Sequence, residues 1–146
     1  CSTGMTTRDE IEELVQFFEK HNRGKDLVLY NCTSGYPVPF PDVCLLDIKT
    51  LIEKYGNRVK HIGFSGHHLG IAVDVAAYTL GANIVERHYT LDRTWKGTDH
   101  SASLEPAGMR KLARDLRAVY QALDYKATDI LPIEQVQRDK LKYRKA

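Results

Sequence analysis

Apolar positions along the chain switch between a helical spacing and short continuous runs. Thr6-Thr7-Arg8-Asp9-Glu10 opens a first helix, with a threonine cap and acids in the first turn, where they favour the positive helix end. Ile11, Leu14, Val15 and Phe18 continue it at helical spacing, and Asn22-Arg23-Gly24 ends it. Residues 26–33 read as a short strand. The unbroken Leu27-Val28-Leu29-Tyr30 within it predicts burial on both faces, as in parallel sheets. The prolines at 37, 39 and 41 keep residues 34–41 out of helix. A second helix is predicted over 42–55, with Val43, Leu46, Ile48, Leu51 and Ile52 mostly on one face. A strand over 59–65 follows, and Gly66-His67-His68 forms its exit. Residues 70–80 make a helix whose alanines permit close packing on a sheet, and Gly81 ends it. A third strand covers 82–89, then a long polar loop 90–103. The helix over 105–123 has Pro106 in its first turn and a stripe of Leu112, Leu116, Val119, Tyr120 and Leu123. Residues 126–146 carry mixed charge and read as a solvated tail or linker.

The resulting order is αβαβαβα. Strands alternating with helices imply right-handed βαβ units and a parallel sheet, so the fold class is α/β. Polar residues collect after each strand: Ser2-Thr3-Gly4, Thr33-Ser34-Gly35-Tyr36, Ser65-Gly66-His67-His68 and Glu86-Arg87-His88. Parallel α/β folds bind ligands at these carboxyl ends. Three strands, with a fourth ending near Ser2-Thr3, suit half of an eight-stranded TIM barrel; a small open sheet is the alternative. Residues 1–125 are expected to form this unit, and 126–146 the tail.

A chain of 146 residues has room for little more than one domain. The net charge of +2 gives no footing for nucleic acid or an anionic membrane surface. No apolar run is long enough to cross a bilayer, and no basic segment followed by an apolar one reads as a secretory signal. Cys1, Cys32 and Cys44 are odd in number and lack CxxC spacing, which argues against a disulfide scaffold or a cysteine zinc site. A reducing cytoplasm is the expected compartment.

His67 and His88 are the sharpest chemical feature. Each lies at or beyond a strand end, and one crossover helix joins the two strands. Neighbouring parallel strands run about 4.8 Å apart, so two such imidazoles can share one cation. The bland alternative is a pair of hydrogen-bonding histidines at a barrel mouth. His68 competes with His67, and alternation lets only one of them face the mouth. Glu86, two residues before His88, shares its side of the strand; it either orients a ligand and moves a proton or belongs to a buried ion pair. Asp99-His100-Ser101 lies in the long loop, and Thr94-Trp95-Lys96-Gly97 before it resembles a ligand lid more than a linker. Ser34 and Tyr36 offer hydroxyls at a strand end or form a rigid turn. Ser2-Thr3-Gly4 before a helix is either a cap or an anion site. The sequence has no GxGxxG, P-loop or GxSxG.

Five motifs in this order and spacing resemble the catalytic barrel of the sialic acid synthase family. They are Ser2-Thr3-Gly4-Met5, Cys32-Thr33-Ser34-Gly35-Tyr36-Pro37, Gly63-Phe64-Ser65-Gly66-His67, Glu86-Arg87-His88-Tyr89-Thr90-Leu91-Asp92 and Gly97-Thr98-Asp99-His100 through Pro106. The resemblance implies the C-terminal half of a (β/α)8 TIM barrel. It implies condensation of phosphoenolpyruvate with an N-acetylmannosamine-type sugar, giving a nine-carbon 2-keto acid and inorganic phosphate. It also implies a divalent cation, typically manganese with magnesium or cobalt as alternatives, on His67 and His88. Under it Ser2 and Ser65 lie near phosphoenolpyruvate, and Glu86 is an acidic catalytic residue. Ser34 and Tyr36 contact the sugar's N-acyl region, Asp99 holds sugar hydroxyls, and Lys96 lies on the sugar side.

The pattern also departs from the family. Many members have Ser-Asp-His-Thr where this chain has Ser65-Gly66-His67-His68, and many have Asn in place of Ser34. The Gly66 form, with Thr94-Trp95-Lys96-Gly97, looks more like members that use the sugar 6-phosphate. Family barrels begin before residue 1, with an early glutamate and the lysines that bind phosphoenolpyruvate, and end in a small antifreeze-like domain. The resemblance therefore implies a homo-oligomer, or a fragment that needs the N-terminal half-barrel and is impaired alone. The rival from another class is a non-catalytic half-barrel module, since open strand edges and a one-sided core favour association.

Overall fold

The computed structural model describes residues 1–142. Helices α1 (Arg8–Lys20), α2 (Asp47–Tyr55) and α3 (Ala72–Thr79) alternate with strands β1 (Val28–Cys32), β2 (His61–Gly66) and β3 (Ile84–Arg87). Helices α4 (Pro106–Ala122) and α5 (Pro132–Leu141) follow. The strands form one parallel sheet in the order β1-β2-β3, with Cys32, Ser65 and Glu86 side by side in the register. Ser2 makes a parallel bridge to Tyr30, so the chain's first residues occupy the fourth position along the sheet. The α/β class and the parallel topology are those predicted.

Why α1 starts where it does is visible locally. The Thr7 hydroxyl accepts the Glu10 N–H, and the Glu10 carboxylate accepts the Thr7 N–H. The helix turns Ile11 and Val15 onto the sheet, where they meet Leu29, Ile48, Leu51, Val59, Ile62, Phe64 and Ala77 in one core. Burying side chains of this size stabilises by about 1.5–3 kcal/mol each, which anchors one face of the sheet against α1, α2 and α3.

Three expectations change. Continuous burial of β1 on both faces is not observed: Leu29 and Asn31 are buried, whereas Val28, Tyr30 and Cys32 are half-buried. Within the described residues, helices cover one face only. The other face of β2 carries the small Gly63 and Ser65, and a Cβ at Gly63 would strike the Tyr30 ring at 2.7 Å. Second, α2 begins at Asp47 rather than near residue 42. A 3-10 turn at Phe40–Val43 and a left-handed Cys44 (φ 51°) intervene and redirect the chain before the helix. Third, the expected tail contains α5. Its Pro132 start is braced by Glu134, which accepts the Leu131 N–H at 2.8 Å and pairs with Lys126 at 2.7 Å. Residues 143–146 of that tail lie outside the described residues.

Candidate active site

Tyr36, His67 and His88 meet at the carboxyl end of the sheet, with the Ser65–Glu86 pair on the same face. His67, just past β2, is buried, and His88, just past β3, is half-buried. Their ring centroids are 5.0 Å apart. Tyr36 packs its ring 4.4 Å from that of His67 and 5.7 Å from that of His88, and so borders both. The Tyr36 loop is fixed there by the Val38 N–H, which donates to the His67 carbonyl at 3.0 Å.

The orientation of His67 follows from its partners. Its Nδ1 lies 3.0 Å from the Thr33 carbonyl oxygen, which can only accept, so Nδ1 is the donor, and in the neutral imidazole Nε2 has the lone pair. Cys32 Sγ stands 3.8 Å from the same Nδ1. Backing of this kind is how metal-ligating imidazoles are held. His88 Nδ1 faces Asp99 Oδ2 at 3.8 Å, beyond direct hydrogen-bond distance. Among the described residues, no set of three His, Cys, Asp or Glu side chains converges as a cation site. What converges is the pair of imidazoles alone.

His68 is not a competing donor. It is fully buried on the helix side, with Nε2 at 3.3 Å from Asp74 Oδ2 and 3.2 Å from an Arg87 nitrogen. Glu86 is exposed on the histidine side, and its Oε1 accepts the Ser65 hydroxyl at 2.8 Å. A carboxylate in a hydroxyl bond, rather than a buried ion pair, is thus what the structure has. Ser65 is itself buried. Ser2 and Ser34 flank Gly4: a Cβ there would collide with Ser34 Oγ and sit 3.4 Å from Ser2 Oγ, so glycine lets the two hydroxyls approach. Lys96 is exposed on the long loop. That loop is nonetheless ordered by its own polar bonds. The Thr94 N–H and hydroxyl donate to Asp92 and hold its carboxyl below the usual range, and Thr90 Oγ1 lies 2.8 Å from His100 Nδ1.

The five motifs surround one histidine pair, and a family model for the NeuB family matches residues 1–128. The chain belongs to the NeuB family. It is 42% identical over 142 residues to an N-acetylneuraminate-9-phosphate synthase of Homo sapiens, covering 96% of this chain and 38% of the relative. It is 37% identical over 123 residues to an N,N'-diacetyllegionaminic acid synthase of Campylobacter jejuni, covering 84% of this chain and 36% of the relative. A crystal structure of an N-acetylneuraminic acid synthetase from Leptospira borgpetersenii, in complex with citrate, matches with a TM-score of 0.79 and 34% identity. It covers 98% of this chain and 50% of that one. The chain thus spans about two fifths of the length of the curated NeuB relatives it matches. Its fold is that of part of a sialic acid synthetase barrel, and its relatives are synthases of sialic and related nonulosonic acids.

Sequence reasoning missed Asp74, Arg87 and the bracing of His67 by Thr33. Asp74 had a signal: it is the lone charged residue in Ile71–Leu80. The signal for Arg87 was its position between Glu86 and His88, which alternation turns to the opposite face.

Proposed function

We propose that this chain carries the cation and sugar side of a synthase that condenses phosphoenolpyruvate with an N-acylmannosamine-type sugar, releasing inorganic phosphate. The observation that carries the reading is the convergence of His67 and His88, with ring centroids 5.0 Å apart, under Tyr36 and on the same sheet face as Glu86. His67 and His88 would hold a divalent cation, manganese by family resemblance, with magnesium or cobalt able to substitute. The two donors fit it, because His67 is braced through Nδ1 and keeps Nε2 for coordination. When bound, the cation supplies Lewis-acid polarisation of the sugar's aldehyde oxygen.

This chain's residues would do the rest as follows. Tyr36 and Ser34 orient the N-acyl group, and Asp99 accepts from sugar hydroxyls beside His88. Lys96, on its exposed loop, reaches for the sugar 6-phosphate. Ser2 donates to phosphoenolpyruvate, and Ser65, whose proton goes to Glu86, lies beside it. The alkene carbon of phosphoenolpyruvate attacks the sugar's carbonyl carbon, leaving an oxocarbenium centre at C2. Glu86, with one oxygen accepting from Ser65, takes a proton from the water that attacks this centre; the former aldehyde oxygen is protonated to a hydroxyl, and the tetrahedral C2 expels phosphate by C–O cleavage as its new hydroxyl gives up a proton to form the keto group. Relatives named as 9-phosphate synthases at 41–43% identity, together with Gly66, favour the phosphorylated sugar as substrate. The groups that hold the phosphoenolpyruvate phosphate would come from the complementary βα units of a barrel, so the chain by itself is impaired.

The test is a chimera in which residues 1–128 replace the matching segment of the human relative. Phosphate release from phosphoenolpyruvate should require both manganese and the sugar 6-phosphate, and should vanish in His67→Ala. Equal release with the unphosphorylated sugar would overturn the substrate assignment. Cation-independent release would overturn the site.

A further inference from the structure

Arg87 sits between Glu86 and His88, yet its side chain lies on the opposite face of the sheet from theirs. There its side chain is 1% exposed, and its partner Asp74 is 0% exposed. One nitrogen, Nη1, donates to Asp74 Oδ2 at 2.6 Å and to the Gly70 carbonyl at 2.9 Å. The other, Nη2, donates to the His68 carbonyl at 2.7 Å and to the Ala102 carbonyl at 3.2 Å. A single guanidinium therefore ties together three segments: the exit of β2 immediately after His67, the start of α3, and the turn before α4 that carries Asp99. Its own backbone is continuous with His88.

Two details show that the fit is specific. A Cβ at Gly66 would come within 3.1 Å of Arg87 Cδ, 2.9 Å of His68 Cε1 and 2.8 Å of Phe64 Cε1, so glycine makes the space in which the guanidinium lies. The cluster is also not arranged for best pairing. Arg87 Nε, Asp74 Oδ1 and His68 Nδ1 are buried among the described residues without a hydrogen-bond partner, which costs stability. What the arrangement secures instead is the placement of carbonyls beside the histidines. The planar fork reaches three carbonyls and a carboxylate at fixed angles, whereas a lysine ammonium is a point charge on a flexible stem.

We propose that Arg87, seated by Asp74 and His68, is a positioning residue that sets the separation of His67 and His88 and so the affinity of that pair for a divalent cation. The inference rests on the reading of the histidine pair as a cation site. Outer-shell groups of this kind change metal affinity by about 10- to 100-fold when replaced.

The experiment titrates the purified protein with Mn2+ by calorimetry and with Co2+ by visible absorption, well below the unfolding transition. Four proteins are compared: the unsubstituted chain, Arg87→Lys, Asp74→Asn and Val59→Ala. Val59 is a fully buried core residue ahead of β2, at the opposite end of that strand from His67, and Val59→Ala serves as a destabilised control. Arg87→Lys should weaken Mn2+ by at least about tenfold and shift the Co2+ bands. Asp74→Asn should weaken it less, and Val59→Ala should leave it unchanged despite a lower Tm. Should Arg87→Lys fail to fold, Asp74→Asn is read by the same criterion. Equal affinity in the Arg87 and Asp74 variants, or an equal loss in Val59→Ala, overturns the positioning role. No cation binding by the unsubstituted chain overturns the cation reading beneath it.

Discussion

Two arginines organise opposite ends of this sheet, and they do so by different physics. Arg58, in the turn after α2, donates to Glu12 at 2.8 and 3.1 Å and to Glu19 at 2.8 and 2.9 Å, with Lys54 adding a further pair to Glu12 at 3.2 Å. The cluster is partly exposed and staples α1 to the end of α2, at the amino end of the strands. Arg87, at the carboxyl end, is buried, and its cluster keeps three polar atoms unpaired among the described residues. In barrels the amino end of the strands serves stability and the carboxyl end serves chemistry. The pairing follows that division. Where only stability is at stake, the network is multiply paired and partly exposed; beside the histidine pair, unpaired buried atoms are tolerated so that carbonyls and imidazoles hold one arrangement.

The largest expected effect is on the buried side. Arg87→Leu leaves Asp74 buried with only His68 Nε2, 3.3 Å away, as a partner, and should lower the unfolding free energy by about 3–5 kcal/mol in urea titrations. An effect under about 1 kcal/mol, the range of surface pairs, would erase the distinction between the two clusters. Next is the double variant Arg87→Met with Asp74→Leu. Apolar replacement of a buried ion pair is often neutral. Here the carbonyls of His68, Gly70 and Ala102 also lose their donor, so stability should recover only in part. Full recovery would mean that those carbonyl bonds contribute little.

The exposed cluster should respond to pH instead. Hydrogen bonds from Arg58, chiefly, hold the Glu12 carboxyl at about 2, and hold Glu19 below its ordinary value of 4.5. A carboxylate whose pKa is depressed on folding contributes stability above its unfolded pKa and loses it as pH falls through the folded value. Tm should therefore decline between about pH 4.5 and 2, and Arg58→Gln should flatten that decline. A decline unchanged in Arg58→Gln would assign it to other carboxylates. The smallest effect is on salt: 0.5 M NaCl should lower the stability held by Arg58 slightly and leave that held by Arg87 unaltered, since buried pairs are poorly screened.

The contrast also explains what was legible in the sequence. Helix and strand order followed from apolar spacing, because burial on one face enforces it. His67, His88 and Glu86 were legible because strand ends and the two-residue alternation place them with no knowledge of packing. Arg87 and Asp74 were not, since what matters about them is a contact across α3, the β2 exit and the turn at Ala102. Burial on both faces of β1 was misread for a related reason: an apolar run reports that a strand can be covered twice, not that both covers are present. The helix at Pro132–Leu141 was hidden by its charge, which outweighed the local signal of Pro132 with Glu134 folding back on Leu131.

The central claim is that His67 and His88 form one cation site. Its most direct test is calorimetric titration of the protein with Mn2+, repeated on His67→Ala and on His88→Ala. The account predicts one cation per chain in the unsubstituted protein, and loss of that binding in either variant with the parallel sheet retained by circular dichroism. Binding that survives both substitutions, or stays absent throughout, would contradict it.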